Sequence, residues 1–147
     1  MLAANNYRSR RMTYDLRVEA GMRLKLSQHT EGTAVSRRTT SQWQSKRTDE
    51  TRDVERVLRE AGFEQVDAYR YNSASIRVRV IDSSFEGLDR VKRDSKVEKI
   101  LKTLPPRTQG DIVMLLTFAP SELEDPQKHL RENFMNLEFE DPTPSRL

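Results

Sequence analysis

Five cations crowd the middle third of this 147-residue chain. Arg77 and Arg79 stand two apart in the alternating run S-I-R-V-R-V-I at 75–81, and Arg90, Arg93 and Lys96 follow at three-residue spacing. The first spacing puts two arginines on the solvent side of a strand, opposite Ile76, Val78 and Val80. The second puts three cations along one flank of a helix. Cations arranged in this way meet phosphates or an acidic protein surface, and they position a partner without reading bases. Asp89, Asp94 and Glu98 are interleaved with them, and Arg90 and Asp94 are an i,i+4 pair of opposite charge. The plainer role is therefore a solvated face with ion pairs of ~0–1 kcal/mol each. For catalysis the chain offers little. It has no cysteine, which excludes disulfides, zinc thiolates, cysteine nucleophiles and Cys-ligated clusters held by this chain alone. There is no phosphate-cradling glycine loop, no G-x-S-x-G and no His-rich metal pattern. The reading is a protein without catalytic residues, cofactor or metal.

These cations need elements to hold them. Thr48 is a good N-cap, with Asp49, Glu50 and Asp53 favouring the helix dipole behind it. Val54, Val57, Leu58 and Ala61 then make one apolar face, and Gly62 is the expected stop. Phe63–Tyr71 and Ser75–Ile81 read as strands joined by a short turn, hence an antiparallel hairpin. A second helix follows the Phe85–Gly87 turn, with Val91, Val97, Ile100, Leu101 and Leu104 as its buried stripe and Pro105-Pro106 as its end. Asp111–Phe118 is apolar on both faces, which suits a well-covered strand better than an edge. Its return through a helix makes it parallel to the strand before. Asp125-Pro126 opens a final helix that can dock through Leu130, Phe134 and Leu137. The fold class is α+β, a helix-strand-strand-helix-strand domain with a three-stranded mixed sheet.

Composition divides the chain. The hydrophobic fraction is 35% and the charged fraction 33%, as expected of a small core with polar extensions. Residues 1–50 hold ten Arg/Lys against five Asp/Glu, so the net charge of +3 originates in the N-terminal part. Residues 1–47 read as a basic extension and linker, partly disordered, with an alternating stretch at 16–26 that suits an added strand. Residues 48–124 read as the domain, and 125–147 as a C-terminal helix and tail. No run approaches the length of a membrane span, so membrane insertion is not expected. The lack of cysteine agrees with a reducing, cytoplasmic setting.

The run Phe85-Glu86-Gly87, with Arg93 six residues after the glycine and Val97 four after that, resembles the signature of the BolA-like family. The resemblance extends from Asp53 to about Glu124. It implies a BolA-like fold related to the type II KH arrangement, with Phe85 and Gly87 as architectural residues. It also implies a non-enzymatic adaptor or regulator that works through a protein partner such as a monothiol glutaredoxin, or through nucleic acid. Relatives that bridge a [2Fe–2S] cluster use a histidine after the arginine, and here that position is Asp94. Their second ligand comes from the loop between the first two strands, which here is Asn72-Ser73-Ala74-Ser75, without a His or Cys donor. Cluster ligation in the family's mode is therefore not expected, whereas docking, which uses surface rather than donors, is. The alternative is a nucleic-acid-binding regulator using Arg77, Arg79, Arg90, Arg93, Lys96 and the basic arm. The oligomeric state cannot be read from the sequence.

Overall fold

The computed structural model of the chain describes residues 41–146, which lie in one compact unit. The alternating 16–26 stretch, His29 and most of the basic extension lie outside the described residues. The described chain starts with a 3-10 turn at Gln42–Lys46 and helix α1 at Asp49–Glu60. Thr48 caps α1 as expected: its hydroxyl accepts from the Thr51 N–H, and the Thr51 hydroxyl accepts from the Thr48 N–H at 2.9 Å. Gly62 ends the helix at φ +102°, a conformation that L side chains resist. Strands β1 (Gln65–Asn72) and β2 (Ser75–Ile81) pair antiparallel across the two-residue turn Ser73-Ala74. A 3-10 turn at Ser83–Phe85 leads through Gly87, at φ +71°, into α2 (Arg90–Leu101). Helix α3 (Pro106–Asp111) then leads to β3 (Ile112–Phe118), which runs parallel to β2. Helices α4 (Pro120–Glu124) and α5 (Leu130–Glu140) complete the order. The fold is α+β, with a three-stranded mixed sheet in the order β1-β2-β3.

The period of two along each strand divides the sheet into two unlike faces. Val66 and Ala68 of β1 and Ile76, Val78 and Val80 of β2 point to one face. There they pack with Val54 and Leu58 of α1, Val97 and Leu101 of α2, and Phe85. Phe85 is fully buried, with its ring centroid 5.7 Å from that of Phe63, so the turn motif anchors the core. Tyr69, Leu116 and Phe118 point to the other face, under Trp43 from the N-terminal turn and Phe139 from α5. Trp43 and Phe139 each lie within 6 Å of Tyr69, ring centroid to ring centroid.

Several sequence expectations are corrected by this second layer. Strand β3 is apolar on both faces because α5 covers one and the α1/α2 layer the other, yet it lies at the edge of the sheet. Pro106 does not merely stop α2; it opens α3, where its fixed φ suits a first helical position. The C-terminal helix begins at Leu130 rather than near Pro126. It docks through Met135 and Phe139, so that Leu130, Phe134 and Leu137 face solvent. Val91, expected in the buried stripe of α2, is 74% exposed.

Candidate functional site

The five cations do not form one surface. Arg77, Arg79 and Arg93 retain only 8%, 3% and 7% exposure, while Arg90 and Lys96 are exposed. The placement of Arg77 and Arg79 on an outer solvent face is corrected: they do lie opposite Val78 and Val80, but α5 covers that face. Arg79 donates to Asp67 through Nε at 3.1 Å and Nη2 at 2.6 Å, to Asn136 at 2.7 Å, and to Glu140. Its guanidinium lies 4.4 Å from the centre of the Phe139 ring. Arg77 donates to the carbonyl and the carboxylate of Glu138, each at 3.2 Å, and stacks 3.8 Å from the Tyr71 ring centre. Trp43 Nε1 donates to Glu140 at 2.9 Å. These arginines hold α5 to the sheet.

Arg93 is corrected for a related reason. Three-residue spacing placed it between Arg90 and Lys96, but it lies four residues before Val97 and eight before Leu101, on the buried side of α2. It forms a two-pronged pair with Glu122 at 2.7 and 2.9 Å, and its Nε donates to the Leu88 carbonyl at 2.8 Å. Burial opposes charge on Glu122, but the bonds from Arg93 and from the Ala119 N–H outweigh it and hold its carboxyl below the ordinary range. Asp82 behaves likewise: burial opposes its charge, but bonds from Ser84 and the Glu64 N–H keep it ionised. Both carboxylates fasten turns, and Glu122, with Arg93, also lines a cleft of about 220 Å³ that Arg131, Glu132 and Met135 of α5 border.

Asp94 is also occupied. The Thr117 hydroxyl donates to its Oδ1 at 2.7 Å, and Arg90 lies 3.4 Å from its Oδ2. The [2Fe–2S] centre implied by the resemblance does not fit these residues. Asp94 is a hard oxygen donor tied to β3, the Asn72–Ser75 turn holds no sulfur or imidazole, and the chain has no cysteine. Among the described residues no three His, Cys, Asp or Glu side chains are placed to hold a metal ion, and no helix is long and apolar enough to cross a membrane.

What the sequence did not reveal is the difference between the two sheet edges. The outer edge of β1 is sealed by α1. Glu55 is buried, its Oε1 accepts from the Ala68 N–H at 2.9 Å, and Arg59 donates to the Val66 carbonyl at 2.6 Å. The β3 edge has no such cover from Ile112 to Leu116 among the described residues. A bulge where β3 begins turns Val113 outward, and it is 62% exposed. Beside it lies a groove of about 370 Å³ lined by the apolar Leu101, Ile112, Val113 and Leu115 and by Glu98, Lys102 and Gln109. The available signal was the D-I-V-M-L-L-T-F run itself, which carries no charge after Asp111 to protect an edge. Comparison of the chain with family models, curated proteins and solved structures finds no match.

Proposed function

We propose that this chain is a non-enzymatic adaptor of the BolA-like type that docks a protein partner along the β3 edge and the groove beside α2. The observation that carries the reading is the unequal treatment of the two edges, one sealed by Glu55 and Arg59, the other an open apolar strand beside a groove of mixed lining. An extended segment of a partner adds to such an edge through main-chain hydrogen bonds, while neighbouring pockets read its side chains. A monothiol glutaredoxin is the partner class that the sequence resemblance implies, and a cytoplasmic setting accompanies it. Docking in this mode needs no iron ligand, in keeping with the committed Asp94. The rival, nucleic-acid binding, would rest on Arg90, Lys96 and the basic extension, because Arg77, Arg79 and Arg93 are engaged inside the fold.

The test is an NMR titration of the ¹⁵N-labelled full chain with a monothiol glutaredoxin and, separately, with a single-stranded 20-mer. Glutaredoxin should shift the amides of Ile112–Leu116 and the C-terminal half of α2, with weak dependence on salt. Shifts confined to Arg90, Lys96 and the N-terminal extension, produced by the oligonucleotide and abolished steeply by salt, would support the rival.

A further inference from the structure

Helix α5 buries Met135 and Phe139 against the sheet and presents a second apolar stripe to solvent. Leu130, Phe134 and Leu137 are 73%, 67% and 65% exposed. Their spacing of four and three is that of a coiled-coil seam, and it falls on the side of the helix away from Phe139. Isolated exposed side chains are ordinary, but three aligned on two turns form one patch of roughly 300–400 Å², a size associated with interaction surfaces. None of the three is needed to hold α5 in place, since Phe139, the Arg77–Glu138 pair and the Arg79–Glu140 pair do that.

We propose that this stripe is a self-association surface on which a second copy of the chain docks antiparallel, helix α5 against helix α5. Charge selects the occupant. The first turn of the helix carries Arg131 and Glu132, and its last turn carries Glu138 and Glu140. An antiparallel pair centred on Phe134 brings Phe134 against its own copy and Leu130 against Leu137. It also places Arg131, three residues before the centre, beside Leu137 and Glu138 of the other copy, three and four residues after it. Each contact off the two-fold axis occurs twice by symmetry. A parallel pair would bring like ends together and offer Arg131 no acid. Glu138, although bound to Arg77, keeps 24% of its side chain exposed for such a contact. The helix dipoles also oppose favourably. The patch is smaller than the ~800 Å² per partner of a standard interface, so the dimer is weak, with Kd roughly in the range 10–500 μM. This surface lies on the layer away from the α1/α2 face, so the proposal stands apart from docking at the β3 edge. Together they describe a bivalent adaptor.

Sedimentation equilibrium of the full chain up to about 1 mM tests it. The apparent mass should rise from 17.2 kDa toward twice that value. Phe134→Asp should remain monomeric with an unchanged circular dichroism spectrum, because the position is exposed. Arg131→Glu should raise Kd several-fold. The absence of native cysteine allows a direct geometric check with a short bismaleimide. Phe134→Cys, near the two-fold axis, should cross-link at least tenfold faster than the equally exposed Val91→Cys. A chain that is monomeric at every concentration overturns the proposal, as does a dimer that survives Phe134→Asp. Equal cross-linking at the two positions, or a dimer broken by Val113→Asp and not by Phe134→Asp, also overturns it, the latter placing association on the β3 edge.

Discussion

The two faces of the sheet are built on different physics. Under α1 and α2 the strands contribute Val, Ile, Ala and Leu115, with Thr117 bonded to Asp94, and the layer is held chiefly by apolar burial at about 1.5–3 kcal/mol per side chain. Under α5 the same strands contribute Tyr69, Arg77 and Arg79, and the layer is held by aromatic rings threaded with ion pairs. The first arrangement is non-directional and tolerates small shifts. The second works only while every carboxylate stays ionised and in place, because a buried guanidinium left without a partner is costly. One sheet thus has a permanent attachment on one side and a conditional one on the other.

The sharpest way to break the comparison is to add a charge to the apolar layer and remove one from the ion-pair layer. Val80→Asp should abolish folding, since it buries a lone carboxylate in the apolar cluster, and a domain of this size has only ~5–10 kcal/mol in reserve. Arg79→Ala should cost about 2–4 kcal/mol, because Asp67 and Glu140 lose their shared cation and Glu140 is only partly screened by solvent. Read as an outward arginine on a bare strand, the same substitution would cost less than ~0.5 kcal/mol. Urea denaturation followed by circular dichroism distinguishes the two, and a loss under 1 kcal/mol for Arg79→Ala would remove the idea of an ion-pair layer.

That contrast also explains what could be read from the sequence. The apolar face was legible because strand alternation, the Thr48 cap and Gly62 each point to the same local geometry. The strands and their antiparallel and parallel pairing followed from local pattern, and the architectural role of Phe85 from the family resemblance. The other face was not legible because its cover comes from far along the chain: Arg79 and Glu140 are 61 residues apart, and Trp43 and Glu140 are 97 apart. Helix α5 carries two apolar stripes, Leu130/Phe134/Leu137 and Met135/Phe139, and periodicity alone cannot say which one docks. The sheet decides: Arg77 and Arg79 need Glu138 and Glu140, and those acids flank Phe139. For the candidate site, charge pattern alone grouped three buried arginines with two exposed cations, because spacing shows which residues share a flank but not which neighbours cover it.

If the ion-pair layer is conditional, acid should loosen it first. Burial opposes charge on Glu138 and Glu140. Bonds from Thr143 and Arg77 to the former, and from Arg79 and Trp43 to the latter, outweigh that and hold both carboxyls below the ordinary glutamate value of 4.5. A carboxylate whose pKa is lower folded than unfolded stabilises the fold fully above the unfolded value and loses that contribution as pH falls through the folded one. Trp43 is the sole tryptophan and packs under α5, so its fluorescence reports this layer. On acidification below about pH 4.5 its emission should shift to the red before the far-ultraviolet dichroism is lost. In Glu140→Gln the early shift should move to higher pH or already be present at neutrality, with a stability loss of about 1–2 kcal/mol. Coincident fluorescence and dichroism curves would show that the two layers come apart together.

The smallest effect concerns the cations left outside. Arg90 and Lys96 belong to neither layer. Among the described residues Arg90 pairs only with Asp94, at 3.4 Å across one helical turn, a contact worth at most a few tenths of a kcal/mol. Arg90→Ala and Lys96→Ala should therefore change stability by less than ~0.5 kcal/mol, whereas Arg93→Ala, three residues from each, should cost about 2–4 kcal/mol by stranding Glu122. All three positions share one short helix, so differences in helix propensity are small and the ranking isolates burial. The same two outer variants separate function from fold. If they weaken an oligonucleotide complex without lowering the melting temperature, the exposed flank binds phosphate. If they leave every partner's affinity unchanged, Arg90 and Lys96 are a solvated helix face, and recognition belongs to the β3 edge.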